Sequence, residues 1–145
     1  IFGKPFRPML DEAIRRTAAA RPIFVGDRID TDIVGAANAG IDSLMVFTGA
    51  HGKTDLIATG PGERPTHIGA NVGALLEPAR TVELTHAGAR CRGQEAVVRD
   101  GAIVLTGVPG DLAGQLDALW AVAHLAWQHT GLDTADALAA LELIR

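Results

Sequence analysis

Apolar residues fall into short continuous runs in the first half of the chain and into alternating or helically spaced sets in the second. Ile23-Phe24-Val25 follows Pro22 and stops at Gly26, the pattern of a strand buried on both faces of a parallel sheet. Ahead of it, residues 9–20 are alanine-rich and opened by Pro8. Asp11 and Glu12 come early and Arg15 and Arg16 late, a charge order that suits a helix dipole. Behind the strand, Asp30-Thr31-Asp32 is a helix-start signal, Ile33, Ala36, Ala37 and Ile41 keep helical spacing, and Gly40 stands at the stop, which predicts a helix over about 31–39. A second apolar run at 43–48 completes a β-α-β unit with a right-handed crossover. Residues 49–65 contain Gly49, Gly52, Gly60, Pro61, Gly62 and Pro65 and read as loop around a short helix near 55–58. Residues 66–68 suffice for an edge strand, and 72–76 for one or two helical turns.

After Pro78 the texture changes. Thr81-Val82-Glu83-Leu84 alternates as a half-exposed strand does, and residues 95–99 face 102–106 across Asp100-Gly101, a pair that accepts the positive φ angles of a type I′ hairpin. From Asp111 to Gln128 the residues Leu112, Leu116, Leu119, Ala123 and Trp127 mark one buried helical stripe after Pro109-Gly110. Gly131 ends it, and Asp133 or Thr134 can cap a last helix with Leu138, Leu141 and Ile144 facing inward. The fold class expected is α/β: part of a Rossmann-like parallel sheet in residues 1–79, followed by a small α+β tail, a β-meander with two helices, in residues 80–145. Repeats and low-complexity tracts are absent.

Composition narrows the function classes. In 145 residues, 48% hydrophobic and 21% charged, there is enough apolar material for a packed core. A net charge of −4 argues against nucleic acid as a partner, because phosphate-backbone binding needs a basic face. The apolar runs fall short of the roughly 20 residues that cross a bilayer, so no membrane partner is expected. Cys91 is the single cysteine, which excludes an internal disulfide and suits a reducing, cytoplasmic setting.

The candidate chemistry lies at Val25-Gly26-Asp27-Arg28-Ile29-Asp30-Thr31-Asp32-Ile33, where carboxylates follow an apolar strand and open a helix. Ligands of open parallel sheets bind beyond the carboxyl ends of strands, and Asp27 stands there with an oxygen available to a hard cation; Mg²⁺ is the expected ion. Asp30 and Thr31 read more simply as helix caps, and Asp32 as either a cap or a member of the site. Arg28 either positions substrate or pairs with a nearby carboxylate. The five histidines make no metal spacing, Trp120 and Trp127 read as core, and Cys91 has no histidine partner to make it a nucleophile.

The stretch Gly3-Lys4-Pro5, the Gly26-Asp27 motif with Asp32, Gly35-Ala36, Val46-Phe47-Thr48-Gly49 and Pro65-Thr66-His67-Ile68 together resemble the distal half of a haloacid-dehalogenase-like phosphatase. The subgroup is that of phosphoglycolate, glycerol-phosphate and 4-nitrophenyl-phosphate phosphatases, and the resemblance covers roughly residues 1–77. It implies that Lys4 binds the substrate phosphate, that Asp27 holds Mg²⁺ and that Asp32 is an auxiliary carboxylate of the metal site. Arg28 joins Lys4 as a candidate for substrate binding.

The family's Asp-x-Asp nucleophile and its serine or threonine motif have no counterpart here, and the chain opens at Ile1 near the point where such chains re-enter the core from a cap domain. The expectation is therefore a C-terminal piece of a Mg²⁺-dependent phosphatase. It would act on a small phosphorylated metabolite through an aspartyl-phosphate formed on an aspartate outside this chain, with the N-terminal core and cap of its own protein as partner. The alternative is a non-catalytic metal-binding or interaction module of receiver or flavodoxin-like type. Receiver domains also bring a lysine to an acidic pocket, but theirs follows the carboxylates, whereas Lys4 precedes Asp27. A tail acting as an interaction module is a third reading.

Overall fold

The computed structural model describes residues 3–145; Ile1, on which the expectation of an upstream portion partly rests, lies outside the described residues. Helix α1 spans Arg7–Thr17 and is followed by β1 (Ile23–Gly26), α2 (Val34–Ala39), β2 (Asp42–Val46), α3 (Lys53–Ile57) and β3 (His67–Gly69). The three strands form a parallel sheet in the order β1-β2-β3, with Val25 opposite Leu44 and Met45 opposite Ile68. Among the described residues the outer side of β1 is an open edge, where Ile23 is 36% exposed.

The second half holds β4 (Val82–Leu84), β5 (Gly88–Cys91), β6 (Gln94–Arg99) and β7 (Ala102–Leu105) as an antiparallel meander, then α4 (Leu112–Gln128) and α5 (Ala135–Ala140). The Asp100-Gly101 hairpin forms as the sequence predicts, with φ of 49° and 79° at its two residues. Strand β5 has no strong sequence signal. Its glycine is dictated by packing, since a Cβ on Gly88 would fall 2.1 Å from the Ala96 carbonyl oxygen. The predicted inward residues Leu138, Leu141 and Ile144 are all buried, although the helix itself ends at Ala140.

Helix α4 differs from the single stripe expected of it. It is buried on nearly every side, from Gly114 through Ala123, because it lies against β4 to β7 on one flank and against α3 and β3 on the other. Alanines at 118, 121 and 123 let the neighbouring layers approach closely. One apolar cluster consequently runs from Ile33, Met45, Leu56 and Ile68 through α4 to Ala89, Cys91, Ala96 and Ile103. Burial pushes the Cys91 thiol up to about 11, which keeps it an inert core residue. No helix among the described residues is long and apolar enough to cross a membrane.

Buried charge also joins the two halves. Arg80, just before β4, donates from Nε to Asp117 of α4 at 2.8 Å and from Nη1 to the Ile68 carbonyl of β3 at 3.5 Å. Trp120 Nε1 donates to the Arg80 carbonyl at 3.2 Å.

Farther along α4, the His124 ring meets Trp120 edge-on with centroids 4.5 Å apart, and its buried Nε2 has no hydrogen-bond partner among the described residues. Burial, helped by the Arg64 charge, holds the His124 imidazole below its ordinary 6.5. The unfolded ring takes up a proton as pH falls through that value while the folded ring resists it. Stability is therefore full above 6.5 and declines as pH drops from there toward the folded-state pKa. His124→Leu is expected to flatten this part of the stability profile when denaturant midpoints at pH 7 and pH 5 are compared; an unchanged slope would count against it.

Candidate active site

The site is built at the carboxyl end of β1. The chain leaves Gly26, runs through Asp27 and Arg28, and enters α2 by one wide turn over Ile29–Ile33, in which the Ile33 amide reaches back to the Arg28 carbonyl at 3.2 Å. Neither Asp30 nor Thr31 caps the helix by a side-chain bond, in contrast to the simple reading of the sequence. Asp30 is instead gripped by the Arg28 guanidinium at 2.7 and 3.2 Å, which holds its carboxyl below the usual value. Both side chains are exposed at the rim.

The wide turn sends Asp32 back over the strand end. A Cβ on Gly26 would fall 2.4 Å from the Asp32 β-carbon, so only glycine leaves room for this carboxylate. Asp32 is buried; its Oδ1 receives the Lys4 ammonium and its Oδ2 accepts from the Arg28 amide at 3.2 Å. Lys4 therefore reaches the carboxyl end of β1 through an ion pair with Asp32, 28 positions away in sequence, rather than with Asp27. Its ammonium also stands 5.8 Å from the Phe24 ring centroid, and its side chain keeps 38% of its exposure.

Asp27 is held differently. Its Oδ2 accepts from Thr48 Oγ1 at 3.1 Å and from the Ala50 amide at 3.3 Å, both in the loop that follows β2. The Asp27 carbonyl accepts from the His51 amide at 3.1 Å, and His51 Nδ1 accepts from the Ile29 amide at 2.8 Å. Of its two carboxylate oxygens, Oδ2 is thus fixed, and among the described residues Oδ1 has no hydrogen-bond partner. A half-buried carboxylate so oriented suits a hard cation, since Mg²⁺ is commonly held through one or two protein carboxylates, with water and phosphate supplying the rest. No group of three or more His, Cys, Asp or Glu side chains gathers among the described residues.

The sequence therefore located Lys4, Asp27, Arg28 and Asp32 on one strand end. It missed Thr48, Ala50 and His51 as the groups that orient Asp27. Their signal was the glycine-rich exit from the second apolar run, visible only as loop chemistry until the two strand ends were paired.

The family model described as HAD-hydrolase-like matches residues 1–75, just over half of the chain. A D-glycerol 3-phosphate phosphatase of Mycobacterium tuberculosis is 40% identical over 80 residues, covering 55% of this chain and 23% of the relative. Phosphoglycolate phosphatase 2 of Arabidopsis thaliana is 33% identical over 79 residues, 53% of this chain and 26% of that protein. Among solved structures, a glycerol phosphate phosphatase of M. tuberculosis in complex with magnesium matches 97% of this chain with a TM-score of 0.73 and 30% identity. The chain covers 42% of that molecule, and thus spans less than half the length of the relatives it matches.

Proposed function

The chain belongs to the haloacid-dehalogenase-like hydrolases, and from that footing we propose that it is the distal part of a Mg²⁺-dependent phosphatase of small phosphomonoesters. The observation that carries the reading is the pairing at one strand end of an oriented carboxylate, Asp27, with an ammonium steered by a buried carboxylate, Lys4 on Asp32. Phosphoryl transfer depends chiefly on positioning and on neutralising charge that develops on the transferred group. Lys4 would bind the phosphate oxygens, and Asp32 would keep its ammonium aimed there. Asp27 would hold Mg²⁺, with Asp32 an auxiliary carboxylate behind it; bound, the ion supplies charge neutralisation on the phosphoryl oxygens. Arg28, at the rim, would meet the rest of the substrate by exchanging its Asp30 partner for it.

The nucleophile would be an aspartate outside this chain. It would attack phosphorus, breaking the ester P–O bond and releasing the protonated alcohol, to give an aspartyl-phosphate that water then cleaves to free phosphate and the original carboxylate. The open edge of β1 supports a neighbouring strand contributed by the remainder of the protein, because an unpaired parallel strand leaves amide and carbonyl groups without partners. The relatives' names specify different substrates, glycerol 3-phosphate and phosphoglycolate. The segment they share with this chain would accordingly carry the common phosphate chemistry, with substrate choice made elsewhere.

The test is to assay the complete protein on glycerol 3-phosphate, phosphoglycolate and 4-nitrophenyl phosphate, with Mg²⁺ and with chelator, beside residues 1–145 alone. Metal-dependent release of phosphate by the complete protein and none by residues 1–145 is expected. Hydrolysis by residues 1–145, or metal-independent hydrolysis by the complete protein, would refute the assignment.

A further inference from the structure

We propose that the segment Leu141–Arg145, at the far end of the chain, positions the loop that orients Asp27, so that the C-terminal unit sets the geometry of the metal carboxylate. The inference rests on the phosphatase reading only in giving Asp27 its ion; the contacts themselves do not depend on it.

The loop Thr48-Gly49-Ala50-His51-Gly52 makes three hydrogen bonds to Asp27 and receives one from the Ile29 amide. With two glycines in five residues, and Gly49 at φ 145°, its own sequence holds it weakly. Restraint comes from its far side. The Lys53 amide donates to the Arg145 main-chain oxygen at 2.5 Å, and the Lys53 ammonium donates to the Leu141 carbonyl at 2.6 Å. That carbonyl, which also accepts from the Ile144 amide at 3.3 Å, lies at the C-terminal end of α5, where a cation interacts favourably with the helix dipole. The Gly52 α-carbon meets the same segment so closely that a Cβ there would fall 2.7 Å from the Arg145 oxygen.

The segment is itself well anchored. Leu141 and Ile144 are buried, and the Leu143 amide donates at 2.9 Å to Oε1 of Gln115, a buried residue of α4. A continuous set of bonded groups thus leads from the interior helix α4 through Leu143 and Arg145 to Lys53, and three residues on to the Ala50 amide that holds Asp27. Such a connection transmits position if its loss loosens the loop while leaving the core unaltered.

Two variants of the complete protein break it in different ways. Lys53→Met removes the ammonium and keeps the chain length, while Gly52→Ala keeps every hydrogen-bonding group and displaces only Arg145. Lys53→Arg restores a cationic donor. Amide hydrogen exchange at Ala50 and His51 should quicken by about tenfold in Lys53→Met, stay parental at Met45 of β2, and return toward parental values in Lys53→Arg. The Mg²⁺ concentration giving half-maximal turnover should rise by about three- to tenfold, with kcat at saturating Mg²⁺ changed by less than about twofold.

Parental exchange at Ala50 and His51, or an increase shared equally by Met45, would overturn the proposal. If Lys53→Met does not fold, Gly52→Ala gives the same readout. A parent protein with no phosphatase activity would defeat the functional reading and leave the exchange experiment to decide this one.

Discussion

Replacing Asp27 by asparagine in the complete protein is expected to lower Mg²⁺-dependent turnover of 4-nitrophenyl phosphate by about 10²-fold or more with the fold unchanged. Asparagine fills the same volume, and its carbonyl oxygen can still accept from Thr48 Oγ1 and the Ala50 amide. The loop geometry should therefore survive. What disappears is the negative charge on the oxygen left free for a cation, and a neutral amide binds Mg²⁺ poorly. Circular dichroism and the denaturant midpoint should match the parent while the rate collapses. Activity within a few-fold of the parent at limiting Mg²⁺ would rule out a metal role for Asp27.

The largest stability effect is expected at a position remote from this site. Asp117→Ala should cost about 3 kcal/mol, because it leaves Arg80 buried with its main partner gone. The Arg80 side chain is 4% exposed and that of Asp117 10%, so water cannot replace the lost carboxylate. Glu77, 3.7 Å from Arg80 Nη1 but half exposed, offers only partial compensation. The double variant Arg80→Met with Asp117→Leu should recover much of the loss, since replacing both members of a buried pair by apolar groups is often close to neutral. Denaturant unfolding of the four proteins checks this. A single-variant cost below about 1 kcal/mol would mean that the pair contributes little to joining the two halves.

What could be read from the sequence was local. Ile23-Phe24-Val25 ending at Gly26, the Asp100-Gly101 hairpin and the inward set Leu138, Leu141 and Ile144 each carry their signal within a few residues; the hairpin and the inward set stand where that signal puts them, and the strand forms there too, but with Ile23 exposed and Phe24 and Val25 half-buried at an open sheet edge rather than buried on both faces. The strand end bearing Asp27, Arg28 and Asp32 was legible for the same reason, and Lys4 became legible through its Gly-Lys-Pro setting ahead of that motif.

What could not be read was set by distant partners. The spacing of Leu112, Leu116 and Leu119 announces one buried stripe. Helix α4 is covered on the other flank as well, because α3 and β3 lie against it, and alanines there look as neutral in sequence as they would on a surface. Asp30 and Thr31 looked like caps because such residues favour helix starts; the Arg28 guanidinium two positions away took Asp30 instead. Arg80 and Asp117, 37 positions apart, gave no sign of each other, and neither did Lys53 and Leu141, 88 apart. Strand β5 escaped because its Gly88 and Ala89 are chosen for close approach to β6 rather than for strand propensity.

Asp27 is proposed as the carboxylate through which the protein holds Mg²⁺. Calorimetric titration of Mg²⁺ into the complete protein and into its Asp27→Asn variant tests it without reliance on turnover or on the choice of substrate. Saturable binding by the parent that is absent or weakened by about tenfold or more in the variant is the expected result. Equal affinity in the two proteins would contradict it and place the metal on other residues.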